Sequence, residues 1–483
     1  MRVATVVTLC VIALLVGCGG SNGPTGPAGP PVVVAVNGAT LPSGTTGSTL
    51  VIQGSNFGTG QSLASGHVVF STTAGGRDTA TITSAVDWTN LLIVTTVPTG
   101  VPLGKDTLFV ETSGGTSAPV IFTVVAKVAF SPSTVAWSAT TALPVGLSGH
   151  AVAAATLPGA TATSVVYVAG GADSTDAPRD SVLYATVSST GTVGAWTRTT
   201  VLPAPVAFAA AVVATPTNSA VTGASYLYVI GGDSTAGGKP VATVRLGTLN
   251  ATGAVSAWST TTALPAPVHS AGAVIFNGCV YVAGGSGSGN APVATVQRAA
   301  IMSDGTLGAW QPLSSLPFGR SYFGFGVNGT FLYALGGDSG AVTPNDSSLS
   351  AKAISDVVYA EIDVHSGALT AAGWTASASK LKKAVSKHTA VMAGGNVLVT
   401  AGLYNGAGTG STEESYSGLN ADGSTTAFNG ATGANTIAAA GGGDLFNHAA
   451  VGYLDTTGAF HILVVGGDDV NAPTKKRKGV FYY

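Results

Sequence analysis

Charge is scarce in this chain. Lys and Arg number 19 and Asp and Glu 21 among 483 residues, 8% together, for a formal net charge of −2. So even a balance throws no long-range field toward a polyanion, and nucleic acid is not an expected partner. The one basic run, Lys475-Lys476-Arg477-Lys478, reads as a solvated loop. Cysteine is almost missing as well, with only Cys10, Cys18 and Cys279 present. Long apolar runs are confined to the amino terminus, where Val3 to Val16 is shorter than the roughly 20 residues a membrane-spanning helix needs.

That first run has the length of a signal peptide, and it ends in Leu15-Val16-Gly17-Cys18. The tetrapeptide resembles a bacterial lipobox, which implies removal of residues 1–17 and attachment of diacylglycerol to Cys18. Lipid would then be the membrane partner, in the cell envelope. Gly19 in place of an Asp points toward the outer membrane or cell surface rather than the inner membrane. With Cys10 removed and Cys18 acylated, Cys279 is left alone, so no intramolecular disulfide is expected. Its setting, Gly278-Cys279-Val280-Tyr281-Val282, is that of a buried strand thiol rather than a nucleophile.

What is abundant is glycine, 68 residues, and apolar side chains, 45% of the chain. They are distributed in regular short runs, which marks a folded β-rich protein rather than a disordered one. Residues 18–31, ending Gly29-Pro30-Pro31, read as an extended tether. Residues 32–127 alternate β-branched runs such as Thr49-Leu50-Val51-Ile52 and His67-Val68-Val69-Phe70 with turn signals, the pattern of a small sandwich. The run Gly47-Ser48-Thr49-Leu50-Val51-Ile52-Gln53-Gly54-Ser55-Asn56-Phe57-Gly58, with Val97-Pro98, Gly104, Gly114-Gly115 and Phe122-Thr123-Val124, resembles the IPT/TIG family. That resemblance implies an Ig-like spacer or interaction module and brings no catalytic residue.

From 128 to 483 the chain repeats. Gly-Gly pairs close apolar runs at 170–171, 231–232, 284–285, 336–337 and 466–467, with Ala401-Gly402 as a degenerate sixth, spaced 61, 53, 52, 65 and 65 residues apart. Aromatic anchors keep the same beat: Trp137, Trp196, Trp258, Trp310, Trp374 and Phe428. Strand, Gly-Gly, strand, turn and Trp in fixed order resemble Kelch repeats, which implies four strands per blade. The last repeat ends after a third strand, Gly479 to Tyr483, and the segment carrying Trp137 supplies a lone fourth. Pairing the two predicts a ring of six, with seven blades as the alternative if a degenerate repeat lies in 340–370 or 403–445. The expected class is therefore all-β: a small Ig-like sandwich (IPT/TIG) followed by a six-bladed Kelch-like β-propeller closed by its N- and C-terminal strands.

In such a topology each inner strand starts on the face where the second strand ends. That predicts a rim built from His150, Phe208, His269, Tyr322, His388 and His448, with Asp173, Asp233, Asp338, Asp468 and Asp469 beside them and Arg179 and Arg320 nearby. The candidate ligand rim is His150, His269, Arg320, His388, His448, Asp233, Asp338 and Asp468. Imidazoles and carboxylates are metal and sugar ligands, yet planar packing explains the His set and turn stabilisation the Asp set. Kelch-like propellers include copper-radical oxidases related to galactose oxidase and sugar-acid epimerases, so the resemblance admits an exported carbohydrate-modifying or copper enzyme. The oxidase pattern needs a Tyr crosslinked to a Cys, and Cys279 stands outside the rim, so no catalytic residue and no cofactor is assigned. The expectation is a lipid-anchored binding protein for a protein or glycan, with a structural envelope component as the third reading.

Overall fold

The computed structural model describes residues 29–37, 43–58, 66–71, 75–82, 85–125, 136–157, 163–216, 224–236, 238–344, 352–393, 395–404, 414–431, 436–437, 440–441, 445–454, 460–469 and 472–483. Cys18 and the signal segment lie outside them. The described chain is all-β apart from short 3-10 turns, and no helix in it is long and apolar enough to cross a membrane.

Residues 32 to 124 form two sheets. One orders Val32–Val36, Thr49–Ser55 and Leu92–Thr96; the other orders Ser43–Gly44, Val120–Val124, Gly104–Thr112, His67–Ser71 and Arg77–Ala80, with Gly115–Thr116 folded back on Gly104–Thr112. Alternation along Gly104–Thr112 sends Asp106, Leu108 and Val110 inward and their neighbours outward. Leu50, Ile52 and Ile93 of the first sheet meet Phe70, Leu108 and Phe122 of the second in one apolar core.

The rest is propeller-like: six four-stranded antiparallel sheets stand around a common axis. Five are meanders in chain order. The sixth orders Ala449–Leu454, Phe460–Val465, Val480–Tyr482 and Ser138–Ala139, so its outermost strand precedes the first blade in sequence. The innermost strands, Ala151–Leu157, Ala210–Ala214, Gly272–Phe276, Gly324–Asn328, Thr389–Ala393 and Ala449–Leu454, touch one another in that order, and the last returns to the first. Their small residues permit this convergence. A Cβ on Gly324 would come within 2.4 Å of Ala390, and one on Gly272 within 2.2 Å of Phe325.

Second strands are sandwiched between blades, and Ser225–Ile230 is buried at every residue. The tryptophans add a staple. The indole N–H groups of Trp196, Trp258, Trp310 and Trp374 donate to the carbonyls of Thr141, Thr200, Thr262 and Ser314 in the preceding blade, at 2.9 to 3.0 Å. Trp137 departs from the pattern and donates to Glu414 Oε2 at 2.8 Å. At the far end of blade four, His365 Nε2 lies 3.2 Å from the Val86 carbonyl of the sandwich.

Candidate functional site at the propeller axis

Each blade contributes one residue in the left-handed region at the entry to its inner strand: Gly149, Phe208, Ser270, Tyr322, Lys387 and Asn447, with φ between 50° and 54°. Their backbones form a closed circuit. Phe208 N donates to Gly149 O (2.6 Å), Ser270 N to Phe208 O (2.8 Å), Tyr322 N to Ser270 O (3.4 Å), Lys387 N to Tyr322 O (3.0 Å), Asn447 N to Lys387 O (3.0 Å) and Gly149 N to Asn447 O (2.8 Å). Gly and Asn tolerate this conformation, whereas bulky Phe and Tyr hold it at a cost of about 1–3 kcal/mol each. Gly149 is required for a second reason: the ring of Phe208 lies 2.6 Å from where its Cβ would be.

The residue before each circuit member pairs with a residue just past the glycines. The pairs are Ser148 with Ala172, Ala207 with Asp233, His269 with Ser286, Ser321 with Asp338, Ser386 with Leu403 and Phe446 with Asp468. Carboxylates therefore occupy alternate blades. Above them the segment after Asp338 crosses toward the axis: Val342 packs with Ala172, Phe208 and Tyr322, Lys387 Nζ donates to Thr343 O at 3.2 Å, and Asn447 Nδ2 donates to Pro344 O at 3.2 Å. Below the circuit a cavity of about 210 Å³ runs between the inner strands, lined by circuit residues and by Ala151, Ala210 and Phe325 among others.

The eight candidate rim residues are all buried, so they form no open surface. The four histidines do not share one register. His150, His388 and His448 follow the circuit residue of their blade, His269 precedes it, and Phe208 and Tyr322 are circuit residues themselves. His150, His388 and His448 are wedges between blades. His150 lies against the position of a Gly466 side chain, and His388 against that of Gly336. Gly324 N donates to His388 Nε2 at 3.1 Å, and His448 Nε2 meets the hydroxyls of Thr400 at 2.9 Å and Thr389 at 3.2 Å. Burial pushes their imidazoles down, to about 4 for His150 and His388 and about 3 for His448, where the neighbouring imidazoles add to the effect.

Arg320 is also structural. Its Nη1 faces the carbonyls of Gly336 (3.3 Å) and Ala334 (3.4 Å), its guanidinium stacks 4.6 Å from the Phe318 ring, and burial lowers it to about 10. Asp468 is held by Lys476 Nζ at 2.6 Å and Asn447 Nδ2 at 3.1 Å, and the same ammonium reaches Asp176 at 2.7 Å. The turn-stabilising role applies to Asp173, which accepts from the amides of Thr175 and Ala177 and pairs with Arg179 at 2.6 Å.

Asp233 is different. At 1% exposure, neither of its carboxyl oxygens has a hydrogen-bond partner, and burial pushes it up to about 7. His269 Nδ1 stands 3.6 Å away but is engaged with Ser270 Oγ (3.0 Å), while Nε2 meets Asn290 Oδ1 (3.0 Å). Tyr322 lies edge-on to both Phe208 and His269, each 5.9 Å between ring centroids. Sequence reasoning placed Asp233 but missed Lys387, Asn447 and the crossing segment, for which Gly149 and Asn447 in one register were the available signal.

A copper-radical site does not fit these residues. The oxidase pattern requires a thiol at the metal, and Cys279 begins its strand at the end remote from the circuit, 3.7 Å from Arg298 Nη1, while both ring nitrogens of His269 already face Ser270 and Asn290. Among the described residues no group of three or more His, Cys, Asp or Glu is placed to hold a metal ion.

No family model and no curated protein matches the chain. Among solved structures it is similar to YjhT, with 12% identity, a TM-score of 0.47, and coverage of 71% of this chain and 96% of that one.

Proposed function

We propose that this chain is a lipid-anchored envelope protein in which an IPT/TIG-type module, residues 32–127, holds out a six-bladed Kelch-type propeller, residues 128–483, that binds a protein or glycan at the axial face. The observation that carries the binding reading is Asp233. A buried carboxyl with no partner costs about 1–3 kcal/mol or more, and a ring serving only to close the propeller has no use for it. The bulky left-handed residues Phe208 and Tyr322 beside it add strain at the same place. Such concentrations of unmet polar groups and strain belong to sites where a ligand supplies the missing partners.

Anchoring is tested by metabolic labelling with a radioactive fatty acid, which should mark the intact chain and not Cys18→Ser. Binding is tested by presenting the purified propeller-bearing chain to a glycan array and to candidate surface proteins. Blank results on both would replace this reading with a structural envelope component.

A further inference from the structure

Resting on the binding reading above, we propose that residues 339–344 are a cover over a site for a neutral, hydroxyl-rich ligand of the hexopyranose type, with Asp233 as its hydroxyl acceptor and Phe208 and Tyr322 as its stacking faces.

The cover is a short segment, residues 339–344. Its base is fixed where Ser339 N and Oγ donate to Lys352 O, at 3.1 and 3.0 Å. Beyond that, Ala341 and Thr343 are exposed, and the segment is held by the apolar contacts of Val342 and by the side chains of Lys387 and Asn447 described above. Beneath it lie polar atoms the protein itself does not satisfy: both oxygens of Asp233, with the hydroxyls of Ser286 and Ser321 on the same level in the next two blades. The contrast with blade six is informative. Asp468 occupies the equivalent position and has Lys476 and Asn447, whereas blade two offers Asp233 neither.

The charge pattern selects the ligand class. An anion would be buried against Asp233 and Asp338. A cation would compete with Lys387, whose ammonium already lies over the rings of Tyr322 (5.4 Å) and Phe446 (5.8 Å). A neutral polyol brings no charge against either the carboxyls or the ammonium. Its hydroxyls donate to a carboxyl oxygen and its C–H face packs on an aromatic ring, and both kinds of group are present.

The test is ligand-observed NMR and calorimetry on the full chain with glucose, galactose and N-acetylglucosamine, with glucosamine and glucuronate as charged counterparts. At least one neutral sugar should bind, and its charged counterpart should bind at least tenfold more weakly. Asp233→Asn should weaken binding tenfold or more without lowering the melting temperature, and Val342→Gly, which loosens the cover and leaves the polar groups in place, should tighten it severalfold. Absence of neutral-sugar binding in both wild type and Val342→Gly overturns the proposal, as does preference for a charged sugar or an Asp233→Asn affinity equal to wild type. A glycan or protein captured on the array whose binding ignores Asp233→Asn would leave the binding function standing while removing this site.

Discussion

Acid should destabilise this protein along a slope to which six buried groups contribute most clearly. Four histidines are held neutral by burial, His150, His269 and His388 at about 4 and His448 at about 3, against an ordinary value of 6.5. Because the folded values are depressed, each contributes stability that is present above 6.5 and is lost as pH falls toward 4, where only the unfolded chain takes up the proton. Asp233 and Glu414 act in the opposite sense. Both are raised to about 7 by burial, so between their unfolded values of 3.8 and 4.5 and pH 7 the folded state holds a proton that unfolding releases.

Near pH 5 unfolding therefore takes up almost four protons and releases almost two, a net of about two, or roughly 2.7 kcal/mol of stability lost per pH unit. Around pH 7 the two contributions cancel, which places the optimum there. Urea denaturation followed by tryptophan fluorescence at half-unit steps from about pH 5 to pH 7.5 measures the slope. His448→Gln should reduce it by about one proton, roughly 1.4 kcal/mol per unit, and Asp233→Asn should increase it by a similar amount. Stability that is flat or rises as the pH is lowered from about 6.5 to 5 would refute the assignment of neutral, buried imidazoles.

Removing Gly479 to Tyr483 should do more than fray an end. It takes Val480 and Phe481 out of the core, about 1.5–3 kcal/mol each, and leaves Ser138–Ala139 unpaired, so thermal unfolding should lose cooperativity as well as midpoint. Lys476→Met strands Asp468 without its cation and should cost about 3–5 kcal/mol in chemical denaturation, with partial recovery in the double variant Lys476→Met, Asp468→Leu. Gly149→Ala forces a Cβ into the Phe208 ring at positive φ and should destabilise by at least about 1–3 kcal/mol, whereas Asn447→Gly should leave the circuit intact. Trp137→Phe removes the indole partner of Glu414 and should lower the melting temperature more than Trp258→Phe, whose lost partner is the carbonyl of the exposed Thr200.

The all-β, repeating character was legible in sequence because its signals are spaced and local. Gly-Gly after an apolar run, then a turn and a Trp, can be read without knowing what packs on what. The rim was legible only as a set of residue types. Its register depends on which residue takes the left-handed conformation, and Phe208, Tyr322 and Lys387 conceal a position that Gly149 and Asn447 alone advertise. One residue of slip moved His150, His388 and His448 from an imagined ring onto blade interfaces, and His269 to the other side of the circuit. The same applies to the carboxylates. Asp173 and Asp233 follow Gly-Gly at nearly the same distance, yet one caps a turn and the other has no partner, a difference made by residues of other blades.

The axial circuit also determines what kind of electrostatics this face can have. Each amide donates to the carbonyl of the preceding blade, so the six peptide dipoles run head to tail around the axis and their in-plane components cancel. A helix end pointed at a ligand imposes a fixed sign of potential; this ring imposes none in its plane. The polarity at this buried level is left to side chains such as Asp233, Asp338 and Lys387, which can change without altering the backbone circuit that seals the axis.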